Sequence, residues 1–222
     1  HEPGPAPGLG ESPQGRQVMD FCIVADPLPG AAGKLDLIDT DYRHMIRFEA
    51  AMLRVKNEQE AGLLITRTLD AFLGAGWQAE YTVQEAFNGL LWFYRGGKEP
   101  PDQRTIDQRR GQPLAYDYIL DGPLITAAFQ QIYGIDLTSS ATRIHWLRFQ
   151  SLMQGLPEGC VFSRIVGWRT ADLSGMKGKQ LSYYREMQQR YALPADLGKG
   201  EKRVYASKAD WDAAFIARHK RH

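Results

Sequence analysis

The 222 residues predict an all-α protein, a single-domain multi-helix bundle of about seven or eight helices behind a short extended N-terminal arm. Three observations carry this. From residue 38 onward, large apolar residues recur at three- and four-residue spacing, the period of one helix face. Gly and Pro fall between these stripes rather than inside them. The extended stretch from Phe21 to Val24 is short, and Pro27, Pro29, Gly30 and Gly33 break it at once.

Residues 1–18 interleave Pro3, Pro5, Pro7 and Pro13 with Gly4, Gly8, Gly10 and Gly15 and offer nothing to a core. They read as a disordered leader, a vector-derived remnant or an upstream extension, with Met19 as the expected natural start of a helical domain over 19–193. The first helix is expected to begin near Asp39 or Asp41, either of which can accept a bond from an orphan amide, with Tyr42, Met45, Ile46, Met52 and Leu53 on one side. A second carries Ala61, Leu64, Ile65, Leu69 and Phe72 and stops in Gly74-Ala75-Gly76, which makes the pair a helical hairpin. Thr82 with Glu85 has the form of a capping box, and Val83, Ala86, Phe87, Leu90, Leu91 and Tyr94 follow on one stripe.

Residues 96–113 hold three Gly and three Pro but only Ile106 among large aliphatics, so an exposed, mobile loop is expected. After it, Gly122-Pro123 opens a helix bearing Ile125, Ala128, Phe129, Ile132 and Tyr133, ended by Gly134, with Asp121 as its expected cap and a shorter turn before it. Ser139 or Ser140 is the expected cap of a central helix carrying Ile144, Trp146, Leu147, Phe149, Leu152 and Met153. Val161, Phe162, Ile165 and Val166 mark another helix, and Leu181, Tyr184, Met187 and Tyr191 the next. A basic extension over 194–222 is expected to hold one last helix, capped by Ser207 with Asp210 and bearing Trp211, Ala214 and Phe215.

Composition bounds the function. A core at this length needs neither metal nor disulfide, and two cysteines, Cys22 and Cys160, make no disulfide framework. With 27 Lys and Arg against 26 Asp and Glu, no surplus of cations is present to displace counterions along a phosphate backbone, so nucleic acid is disfavoured as a partner. No stretch approaches the roughly 20 apolar residues that cross a bilayer. A cytosolic protein without a membrane partner is expected.

The chemical constellations favour structure over catalysis. Asp117 and Asp121 stand four apart, which on a continuous helix would set two carboxylates on one face, as in acid and base pairs or a metal site. The helix start at Gly122-Pro123 makes capping the preferred reading. His145, beside Trp146 in the central stripe, reads as a buried structural imidazole whose natural partner would be Asp136 or Asp121. No zinc spacing, nucleophile elbow or Walker motif is present, and Gly175-Met176-Lys177-Gly178-Lys179 reads as a solvated turn. The competing enzyme reading is a metal-dependent hydrolase built on Asp117, Asp121, Asp136 and His145. The stretch from Gly198 to His222, seven Lys or Arg against three acids, could grip an acidic partner or nucleic acid but reads first as a solvated face.

One ordered set of residues carries a resemblance. Tyr116-Asp117-Tyr118, Asp121, Ile125, Ala128-Phe129, Tyr133-Gly134-Ile135-Asp136-Leu137, Ile144-His145-Trp146, Phe149, Leu152 and Leu156, then Arg169 and Asp172, resemble the core of the bacteriophage gene-product-fifteen family. Met19-Asp20-Phe21, Asp26-Pro27-Leu28-Pro29, Ile38 to Arg43 and Ile46 to Glu49 are similar to that family's start. The resemblance covers about Met19 to Leu193 and leaves out the 96–113 loop and the basic extension. It implies a helical phage or prophage protein encoded among tail morphogenesis genes, acting in the host cytoplasm. A tail assembly chaperone that sheathes the tape-measure protein is the favoured role, and a structural tail or virion component is the alternative. It implies no catalytic residue and no cofactor. Other phage tail proteins are the implied partners, with self-association possible. Asp117, Asp121, Phe129, Tyr133, Gly134, Asp136, His145, Trp146 and Phe149 form the motif, in a structural capacity.

Overall fold

The computed structural model describes residues 39–96, Asp102, Arg104 and residues 113–197. These hold seven α-helices and no strand: α1 (Tyr42–Met52), α2 (Glu58–Leu73), α3 (Val83–Tyr94), α4 (Gly122–Tyr133), α5 (Trp146–Gln154), α6 (Val161–Thr170) and α7 (Gly178–Arg190). The expected all-α bundle is therefore observed. The leader over 1–18, the extended arm at Phe21 to Val24, most of the 96–113 loop and the last helix at Ser207 to Phe215 lie outside the described residues. Asp102 and Arg104 are exposed, and Arg104 has helical backbone.

Helix ends follow local chemistry. Asp41 accepts from the Arg43 amide to start α1, and Asn57 accepts from the Glu60 amide to start α2. Gly74, at φ 86°, ends α2. A 3-10 turn at Trp77–Ala79 follows, with the Trp77 indole N–H donating to Asp70 at 2.9 Å. Both halves of the Thr82/Glu85 capping box are formed at α3. Gly134 sits at φ 68°, where its own amide and that of Ile135 reach back to the carbonyls of Gln130 and Phe129 and close α4.

The central helix starts later than Ser139 or Ser140 would place it. Ser139 Oγ accepts from the Ala141 amide within a turn, and α5 begins only at Trp146, with His145 at the N-cap. The cause is tertiary. The Tyr42 amide donates to the Ile144 carbonyl and the Trp146 amide to the Thr40 carbonyl, both at 2.9 Å, an isolated antiparallel bridge between Asp41 and His145. This pairing needs extended backbone just before both helices, so each helix start satisfies an orphan amide of the other.

α1 packs on α2 and α5, α2 on α3, α4 on α6, and α6 on α7. At the centre Phe149 is fully buried and meets four rings: Tyr42 at 4.7 Å, Phe129 at 5.2 Å, Trp146 at 5.9 Å and Tyr118 at 6.1 Å between centroids. α1, α4, α5 and the segment before α4 converge on that one side chain. Trp146 also donates through its indole N–H to the Tyr94 carbonyl at 3.0 Å, which ties α5 to the end of α3. Phe149→Ala should remove a hub no single helix can refill, at a cost of about 3–5 kcal/mol. Urea unfolding with a fluorescence readout checks this.

Candidate functional site

The carboxylates singled out by spacing occupy the segment that leads into α4. Asp117 and Asp121 are both buried, with 1% and 3% of their surface exposed, and each faces a guanidinium from a distant part of the chain. Arg54, just past α1, donates Nη1 to Asp117 Oδ2 at 2.9 Å and Nη2 to Oδ1 at 2.8 Å, while Nη1 also reaches the Ala50 carbonyl. Arg169, in the last turn of α6, donates Nη1 to Asp121 Oδ2 at 2.6 Å and Nη2 to Oδ1 at 2.9 Å. Its Nε reaches the Tyr191 carbonyl after α7 and its Nη1 the Ala115 carbonyl. The two pairs are joined, because the Asp117 amide donates to Asp121 Oδ2 at 2.9 Å. One polar chain thus runs from α1 through both aspartates to α6 and the end of α7.

Chemically this arrangement neutralises rather than reacts. Each carboxylate is held by a two-pronged guanidinium, and Asp117 Oδ1 also accepts from the amides of Ile119 and Leu120. Burial pushes the Asp117 carboxyl up, but Arg54 and those amides outweigh it and hold the group below the usual carboxylate range. A general acid or base needs a proton to exchange near neutral pH, and this carboxylate stays ionised there.

Asp117 caps the short turn before α4, as the spacing suggests. Asp121 does not cap in the expected way: it stands at the N-cap position of α4, but its side chain makes no cap bond. One of the two amides a cap would reach belongs to Pro123, which has no N–H, and the buried Arg169 claims both carboxylate oxygens.

His145 and Asp136 depart from expectation too. The imidazole Nδ1 accepts from the Leu147 amide at 3.2 Å and caps α5, while its ring meets Phe93 edge-on at 5.5 Å. No hydrogen bond joins it to Asp136 or Asp121. Asp136 is exposed and turns back on Thr138, accepting from its amide at 2.8 Å and its hydroxyl at 2.6 Å. Phe129 and Trp146 lie in the core, Tyr133 donates to the Leu152 carbonyl at 2.8 Å, and Gly134 ends α4. Asp117 and Asp121 therefore come together, while Asp136 and His145 join neither each other nor them. Among the described residues no group of three or more His, Cys, Asp or Glu side chains could hold a metal ion. No described helix is long and apolar enough to cross a membrane.

Two further features carry no local sequence signal. Nothing in its spacing distinguishes Arg54 from the chain's other arginines, although two buried aspartates demand cations somewhere in the fold. The second feature surrounds Glu49 in α1, which accepts a very short hydrogen bond from the Tyr94 hydroxyl, with Tyr116 and Tyr118 close by. Burial, and then the Glu49 charge, push all three phenols up, so they stay protonated as donors. Between α1 and α4 a groove of about 250 Å³ is lined by Tyr42, Ile46, Ile125 and Leu137, together with Arg43 and Arg47.

Two consequences can be measured. Asp121→Ala should leave Arg169 buried without its counter-charge and cost about 3–5 kcal/mol, whereas replacing both together by Asp121→Leu and Arg169→Met should cost less than the sum of the two single changes. Denaturant unfolding of the unaltered chain, Asp121→Ala, Asp121→Leu, Arg169→Met and the double variant decides it. For His145, burial lowers the imidazole pKa below 6.5 in the folded chain, so the neutral cap contributes stability that is complete above that value and lost as pH falls through the folded pKa. His145→Asn should keep the cap and flatten this slope, while His145→Ala should cost about 1 kcal/mol at pH 7. Melting temperatures across the acid range check both.

No curated protein and no solved structure matches the chain. A family model described as Bacteriophage Gp15 protein matches residues 24–193, a span that includes every described helix and both guanidinium–carboxylate pairs. The chain belongs to the bacteriophage Gp15 family.

Proposed function

We propose that this protein is a non-catalytic phage tail morphogenesis factor, a tail assembly chaperone that holds the tape-measure protein in the host cytoplasm before the tail tube forms around it. The observation that carries the reading is membership of a bacteriophage family over residues 24–193. Its chemistry agrees: the buried carboxylates of Asp117 and Asp121 are spent on Arg54 and Arg169, so the middle of the chain shapes a bundle and leaves its outer surface for contact. Asp117, Asp121, Phe129, Tyr133, Gly134, Asp136, His145, Trp146 and Phe149 form the structural motif on which that bundle rests, within a domain over 19–193. Residues 194–222 form an extension of this particular chain.

A bundle of this kind holds an amphipathic helix through aromatic and cationic groups on its surface, the mode that would keep long tape-measure helices from aggregating. Self-association of the chaperone is compatible with the same surfaces. Co-expression with the tail-cluster proteins, followed by size-exclusion chromatography and mass spectrometry of finished virions, tests the proposal. The expected result is co-migration with the tape-measure protein and absence from the particle. Failure to associate with it, or a fixed copy number in virions, overturns the chaperone role, and the second result makes the protein a structural tail component instead.

A further inference from the structure

α6 and α7 pack on each other and together build one surface. Met187 is the one fully buried residue of α7, and the helix is otherwise held by the Arg169 bond to the Tyr191 carbonyl and by Gln188 donating to the Ala171 carbonyl at 3.0 Å. Across this seam runs a ladder of rings and guanidiniums. Arg164 lies 5.1 Å from the Trp168 ring, Trp168 stacks on Tyr191 at 5.3 Å and 17°, and Arg190 lies 5.8 Å from the Tyr191 ring. Tyr183 meets Trp168 at 6.4 Å between centroids, edge to face, and is 45% exposed.

The charges on these two helices are one-sided. Arg164, Lys179, Arg185 and Arg190 are exposed, and none of them makes a salt bridge among the described residues. Glu186 is the only acid within either helix, and the one buried cation, Arg169, is already neutralised by Asp121. Each guanidinium of the ladder lies against a ring, which restricts its orientation, and each arginine remains exposed. Tyr, Trp and Arg held this way are the side chains that dominate the energetics of protein interfaces, because little rotamer freedom is lost on contact.

We propose that the α6–α7 face is a docking surface for an acidic amphipathic segment of a partner polypeptide, whose carboxylates pair with Arg164 and Arg190 and whose aliphatic side chains cover Tyr183. Charge complementarity selects this occupant. A single-stranded nucleic acid matches the cations less fully through the rings: stacking a run of bases needs several open aromatic faces, and Trp168 already has Arg164 and Tyr191 against it, which leaves Tyr183 as the exposed ring of this face. The inference specifies a surface and a partner chemistry for the holding role proposed above and rests on that role, so its test uses a defined peptide rather than a tail protein. A negative result here leaves the tail-protein association to be judged by its own experiment.

The probe is a dye-labelled synthetic peptide with leucines along one helical face and glutamates flanking them, titrated with the full chain and followed by fluorescence anisotropy. The controls are the same peptide with lysine for glutamate and an oligothymidylate of similar length. Saturable binding of the glutamate peptide is expected, weakening with salt, with no binding of the lysine peptide. The double charge reversal Arg164→Glu with Arg190→Glu should weaken it by about tenfold or more with the melting temperature held. Tyr183→Ala, a change at an exposed ring, should weaken it less and keep the salt dependence, and it carries the test if the double variant unfolds. Absence of saturable binding, equal affinity for the lysine peptide, or indifference to all of these substitutions overturns the proposal. Tighter binding of oligothymidylate than of the glutamate peptide overturns it in favour of a nucleic-acid surface.

Discussion

Two guanidiniums from distant parts of the chain reach onto two aspartates that stand four residues apart, and the backbone amide of the first aspartate is bonded to the carboxylate of the second. Neither carboxylate could be buried on its own, since an ionised group without a counter-charge is too costly in a dry interior. Once both are paired, the segment before α4 is locked against the end of α1, the last turn of α6 and the residues after α7. Helices that share few direct contacts are thereby held at fixed positions. The Phe149 cluster packs among the same helices, so the polar chain fixes where the segment before α4 meets its neighbours and the aromatic rings add apolar burial at the centre.

The starts of α1 and α5 are held by a separate pairing. Their leading segments run antiparallel for the length of a single bridge, enough to satisfy one early amide of each helix. Around it Arg43 reaches the Ser139 carbonyl at 2.7 Å and Tyr42 donates its hydroxyl to the Leu137 carbonyl at 3.0 Å, so the 134–145 connection is bonded at several points along its course. A long connection without regular structure is affordable in a small bundle only when its polar backbone groups are accounted for in this way.

What the sequence made legible was local. Stripes at three- and four-residue spacing placed the helices, Thr82 with Glu85 marked a start, and Gly134 marked an end that the left-handed conformation confirms. What it concealed was paired at a distance. Arg54 meets Asp117 across 63 positions and Arg169 meets Asp121 across 48, separations at which no spacing rule operates. Asp121 therefore reads as a cap although its oxygens belong to Arg169, and Ser139 reads as the cap of α5 although the bridge to Asp41 delays that helix to Trp146. Ile144, counted in the helical stripe, is buried through extended backbone instead. The misread starts of α4 and α5 share this cause, a residue type suited to a local role being recruited or delayed by a partner far along the sequence. His145 and Asp136, expected to pair at a distance, instead bond locally to Leu147 and Thr138.

If the polar chain is what fixes the helices in place, its internal hydrogen bonds should open only when the whole domain does. Native-state amide hydrogen exchange at Asp117, whose amide is bonded to Asp121 Oδ2, reads this directly. Exchange of that amide with the free energy of global unfolding is the result the account predicts. Exchange by local fluctuation, while the amides of α5 remain protected, would show that the bundle holds together without it and would contradict the account.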